Sequence, residues 1–145
     1  MYLAQQGIPF EVIPGVSSAI AVPAYAGIPV THRGCASSLC IATGHEGTHK
    51  TDFSLDWKQL AAVDTVVVLM GLTKLPQVVE QFLLMGKEPS TPIALISQGT
   101  SKFQETVVGT LADILQQPAT GELKSPVAIV IGQVVSLREK LTWFR

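Results

Sequence analysis

Three stretches of the chain are apolar at consecutive positions: "TVVVLM" (65–70), "TPIALIS" (91–97) and the first part of "SPVAIVIGQVV" (125–135). Short, rich in β-branched residues and bounded by turn signals, they read as strands buried on both faces. "SSLCIAT" (37–43) is a shorter apolar run, "FEVI" (10–13) reads as a strand, and "ETVVGTL" (105–111) reads as a strand leading into a short helix, "LADILQQ". The period changes in the middle of the chain. Leu75, Val78, Val79, Phe82 and Leu83 fall at i, i+3, i+4, i+7 and i+8, one face of a helix that Thr73 would cap and Gly86 would stop. A second helix should start near Ser17 and be ended or kinked by Pro23. Strands alternating with helices predict an α/β fold with a mixed, mostly buried sheet flanked by helices, in a single domain over residues 1–145.

At the amino end, "YLAQQGIPF" reads as the last turn of a helix with Gly7 as its stop. A helix this short does not hold together alone. The expectation is that the chain is the C-terminal part of something longer.

Composition changes the picture in one respect. Only 14% of residues are charged, against about 25% in an average globular domain, so part of the surface is expected to be covered by protein. No apolar run approaches the roughly 20 residues of a membrane span. Net charge is −1 with a pI near 6.3, and no cluster of Lys or Arg marks a nucleic-acid partner. Two cysteines five positions apart do not make the disulfide framework of a secreted fold, which points to a reducing cytoplasm.

"ATGHEGTHKTD" (42–52) carries His45-Glu46-x-x-His49, the letters of a zinc-protease helix. Both histidines must then lie on one face of a continuous helix. Gly44 and Gly47 each cost about 1 kcal/mol in a helix interior, and the preceding residues read as a strand. Adding Cys35 and Cys40 does not help. In extended chain their sulfurs would lie about 16 Å apart on opposite faces, whereas a tetrahedral zinc needs them within about 4 Å. No metal site is expected, and Cys40 is read as a small buried apolar residue.

In an α/β sheet, ligands bind outside the carboxyl ends of strands. The small and polar residues there fall in "PGVSSA", "LMGL", "SQGTS" and "SPVAIVIG". Ser17 and Ser18 at a helix start present hydroxyls and free N–H groups to a ligand, or simply cap the helix. Gly71 and Gly99 let a ligand approach the backbone, or serve a turn. Met70, read by itself, is core. None of these is a dinucleotide fingerprint, a P-loop or a catalytic triad.

Taken together, "GIPFEVIPGVSSAIAVPAYAGIPVTHRG", "ATGHEG", "VVVLMGLTKLP", "SQGTSKFQETVVGTL" and "KSPVAIVIGQVVSLREKLTWF" resemble the C-terminal domain of the tetrapyrrole methylase family, over essentially the whole chain. The resemblance implies two α/β domains with S-adenosyl-L-methionine in the cleft between them. It also implies a homodimer, and methylation of uroporphyrinogen III at C2 and C7 to give precorrin-2, on the way to sirohaem and cobalamin. It assigns cofactor contacts to Ser17, Ser18, Met70, Gly99, Thr100 and Ala128, and tetrapyrrole contacts to His32 and Arg33. The family's glycine-rich N-terminal loop and its acid/base residues have no counterpart in the chain. The lone half is therefore expected to fold without methylating, with no catalytic residue of its own. A non-catalytic binding or dimerisation module that keeps the fold is the alternative.

Overall fold

A computed structural model describes residues 1–44 and 55–144. Its centre is a five-stranded mixed sheet made of β1 (Leu39–Thr43), β2 (Thr65–Leu69), β3 (Pro92–Ser97), β4 (Glu105–Thr110) and β5 (Val127–Ile131), in the spatial order β1-β2-β5-β3-β4. Only β1 and β2 run parallel; β5 is antiparallel to both its neighbours, and β4 to β3. Consequently the carboxyl ends of β1, β2 and β3 emerge along one edge, beside the amino end of β5.

Side chains alternate across the sheet, so consecutive apolar residues feed two cores. Val66 and Val68 of β2, Ile93 and Leu95 of β3, and Ile129 and Ile131 of β5 face one layer. Val67, Ala94, Ile96, Ala128 and Val130 face the other. The first layer is covered by α3 (Trp57–Ala62) and α4 (Leu75–Leu84), and the second by α2 (Ser18–Tyr25). Each fully buried Val, Leu or Ile in these layers stabilises the fold by about 1.5–3 kcal/mol relative to exposure.

Helix ends follow the sequence closely. The short α1 (Tyr2–Gln5) closes with Ile8 N–H on Leu3 C=O at 3.0 Å and Gly7 N–H on Ala4 C=O at 3.2 Å. The pattern recurs after α2, with Ile28 on Pro23 and Gly27 on Ala24, and after α4, with Lys87 on Phe82 and Gly86 on Leu83. In all three the stop is a glycine of positive φ, which any Cβ would strain.

Several expectations are corrected. "FEVI" forms no strand. Phe10, Val12 and Ile13 are exposed, without a ladder partner among the described residues, and an unpaired strand has nothing to satisfy its backbone. Thr73 does not cap α4; it lies in a 3-10 turn, Leu72–Lys74, that runs into the helix, whose first turn holds Pro76, where a missing N–H costs nothing. Pro23 does not end α2, which continues to Tyr25. "LADILQQ" contributes a 3-10 turn, Ile114–Gln116, in place of an α-helix. Cys40 is half-buried, not buried, and Cys35 is exposed; both are free thiols. Among the described residues no helix is long and apolar enough to cross a membrane. The chain closes with α5 (Arg138–Leu141).

Candidate functional site

At the edge where β2 and β3 end lies a hollow of about 440 Å³, within the roughly 300–1,000 Å³ usual for small-molecule sites. Register builds its floor. Leu69 pairs with Ala128, and Ala128 with Ile96, so these three side chains form one row across β2, β5 and β3. The first turns of α2 form one side through Ser18, Ala21 and Val22, while Met70, Gly99, Thr100, Pro126 and Val127 complete the rim.

Backbone strain is concentrated here. Among the described residues, the non-glycine residues with positive φ are Met70 (55°), Gln98 (47°) and Thr100 (69°), and Met70 and Thr100 both line the hollow. Left-handed conformations cost such residues about 1–3 kcal/mol each and persist where the surroundings impose them, commonly at binding sites. Gly99, between two of them, is required by close approach: a Cβ there would run into the Val22 side chain.

Among the described residues, none that lines the hollow carries a formal charge. What polarity there is comes from the Ser18 hydroxyl at the start of α2, the Thr100 hydroxyl and the backbone at Gly99. The amino end of α2 places the positive end of the helix dipole beside it, although the Ala19, Ile20 and Ala21 N–H groups are already bonded to Ser17. An apolar floor with a few polar groups at its margin holds a flat or aliphatic ligand by burial and fixes its orientation by hydrogen bonds.

Ser18, Met70, Gly99, Thr100 and Ala128, singled out from sequence, thus border a common hollow. Met70 is exposed at its rim and is not core. Ser17 lies just outside the lining: its Oγ accepts the Ala19 N–H at 3.2 Å and caps α2. Gly71 is also absent from the lining, because it serves packing; a Cβ on it would meet Val68 and Ile129, and one on Gly44 would meet the Gly71 Cα. His32 and Arg33 occupy an exposed turn after α2, where the His32 Nδ1 accepts the Gly34 N–H at 3.2 Å, and neither lines the hollow. His45, Glu46 and His49 lie outside the described residues. Among the described residues no three His, Cys, Asp or Glu side chains converge as metal ligands do.

Comparison with known proteins decides the family. Residues 1–115 match the profile of the Tetrapyrrole (Corrin/Porphyrin) Methylases. The chain belongs to the tetrapyrrole methylase family. It is 46% identical over 140 residues to an S-adenosyl-L-methionine-dependent uroporphyrinogen III methyltransferase of Methanosarcina barkeri, covering 96% of this chain and 55% of that protein. It is 47% identical over 143 residues to the siroheme synthase of Pseudomonas fluorescens, covering 98% of this chain and 30% of that one. In structure it is similar to the uroporphyrin-III C-methyl transferase of Thermus thermophilus complexed with S-adenyl homocysteine. The TM-score is 0.79 at 27% identity, covering 94% of this chain and 58% of that one. The chain thus spans about half, or less, of the length of these relatives. The mixed sheet with flanking helices is the tetrapyrrole methylase fold.

Sequence reading missed much of the hollow in this family member. Leu69, Ile96 and Val127 look like core by composition, and only strand register brings their ends to one edge. Pro126 carried a usable signal, since it stands between a polar stretch and the first residue of β5. Val22 had none.

Proposed function

We propose that the chain is the C-terminal half of a methyltransferase that uses S-adenosyl-L-methionine to methylate uroporphyrinogen III at C2 and C7, giving precorrin-2. In this reading the hollow under α2 is one wall of the cofactor cleft. The observation that carries it is the meeting of Ser18, Met70, Gly99, Thr100 and Ala128 around one uncharged, largely apolar hollow with strained rims. The names of the relatives support the same donor and acceptor.

The lining fits the cofactor. With no Lys or Arg among the described lining residues, a sulfonium meets no like charge from them. In this reading the apolar row Leu69, Ala128 and Ile96 would bury an adenosyl group, and Ser18, Thr100 and the Gly99 backbone would bond its hydroxyls and amino-acid end. When bound, S-adenosyl-L-methionine supplies an already activated methyl group, so the protein need not provide a nucleophile. The task left to these residues is to hold the donor in one orientation and keep water from it, the contribution of positioning to rate. Among the described residues no acid/base pair lines the hollow; the expectation is that the chain binds donor but does not turn over.

Calorimetric titration of the chain with S-adenosylhomocysteine tests this. Saturable binding is expected, lost in Ala128→Leu, whose larger side chain fills the floor, while circular dichroism reports that the variant stays folded. Absence of binding at millimolar ligand would leave the chain as a module that keeps the fold without the site. Methylation of uroporphyrinogen III by these 145 residues alone would overturn the expected division of labour.

A further inference from the structure

We propose that Gln104 is a positioning residue that locks the Gly99–Thr100 wall of the hollow onto the C-terminal end of α2. The wall needs a lock. Gln98 and Thr100 both hold left-handed backbone, a conformation that relaxes unless something outside the turn imposes it. Gln104 supplies two bonds at once. Its Oε1 accepts the Thr100 N–H at 2.8 Å, and its Nε2 donates to the Tyr25 carbonyl at 3.3 Å, 79 positions away in sequence. Only this orientation of the amide satisfies both partners, since Thr100 N–H can only donate and Tyr25 C=O can only accept.

The α2 end of the link is itself fixed. Trp143 Nε1 donates to the Ala24 carbonyl at 3.1 Å and Arg138 to the Ala26 carbonyl at 2.6 Å, on either side of Tyr25. Arg138 satisfies a carbonyl past the last turn of the helix, and Trp143 adds a second donor to the Ala24 carbonyl, which also accepts the Gly27 N–H. Of these three donors, Gln104 alone also has a bond to the rim of the hollow. Its amide therefore sets how far Thr100 stands from Val22, in the middle of the same helix, and so the width of the cleft.

The ligand in the test rests on the cofactor reading above; the link itself does not. Three variants of the full chain separate the two: Gln104→Leu, Gln104→Glu and Trp143→Phe. Gln104→Leu should weaken S-adenosylhomocysteine binding about tenfold and speed hydrogen exchange at the Thr100 amide. Gln104→Glu, which keeps an oxygen toward Thr100 but loses the N–H toward Tyr25, should fall between Gln104→Leu and wild type, and it decides the matter if the leucine variant does not fold. Trp143→Phe removes a comparable donor from the neighbouring carbonyl and should lower the melting temperature while leaving affinity within about twofold. Unchanged affinity and unchanged Thr100 protection in the Gln104 variants would overturn the proposal, as would equal weakening by Trp143→Phe. If the wild-type chain binds no S-adenosylhomocysteine, the cofactor reading fails, and Thr100 exchange alone judges the link.

Discussion

Asp64 joins the amino ends of β1 and β2 by accepting four hydrogen bonds on one carboxylate oxygen. They come from Ser37 N at 2.9 Å, Ser37 Oγ at 3.1 Å, Ser38 N at 2.9 Å and Ser38 Oγ at 2.8 Å. Led by the Ser37 backbone bond, they favour the ionised form and hold its pKa at about 2, below the ordinary 3.8. Because the folded value is the lower one, the stabilisation is complete above the unfolded pKa and disappears as pH falls from about 4 toward about 2. Asp64→Asn should therefore melt below wild type at pH 7, and the gap should narrow as the pH falls from about 4 toward about 2; an equal gap at pH 7 and pH 2.5 would refute this. The site residues were legible to an uneven degree. Gly99 and Thr100 follow a buried strand directly, so their place at an edge was readable. Ser17 shared every sequence signal of Ser18, and only helix geometry makes the first a cap and the second part of the lining.

Strands β2, β3 and β5 were legible as elements because burial on both faces removes polar positions altogether, but runs of that kind say nothing of direction, and the antiparallel placement of β5 between β2 and β3 was not readable. "FEVI" shows the converse: apolar content without a partner gives no strand. Helix α4 was readable from its period. Helix α3 was not, because it is six residues long, buries only Leu60 and depends on contacts from elsewhere. Trp57 meets Phe82 edge-on, with centroids 5.6 Å apart at 85°. Lys87 Nζ donates to the carbonyls of Ala61 and Val63 at the end of α3, and partial burial lowers its pKa. Phe82 is fully buried, so Phe82→Ala should cost about 3–5 kcal/mol, read as a lower urea midpoint, and should shift the Trp57 emission. An unchanged midpoint would show that α3 and α4 do not share this core.

For the whole molecule, the two layers of the sheet serve different ends. The layer under α3 and α4 holds most of the large buried side chains and supplies stability, whereas the layer under α2 opens at the strand ends into the hollow. The chain spans 55% of its Methanosarcina relative and 58% of the Thermus structure, and one wall of a cleft is what the account assigns to it. Amide chemical shifts of the isotope-labelled chain, recorded during titration with S-adenosylhomocysteine, test that assignment most directly. Saturable shifts are expected at Ser18, Met70, Gly99, Thr100 and Ala128. No shifts at saturating ligand, or shifts confined to the far groove of Leu83, Leu111 and Leu115, would contradict it.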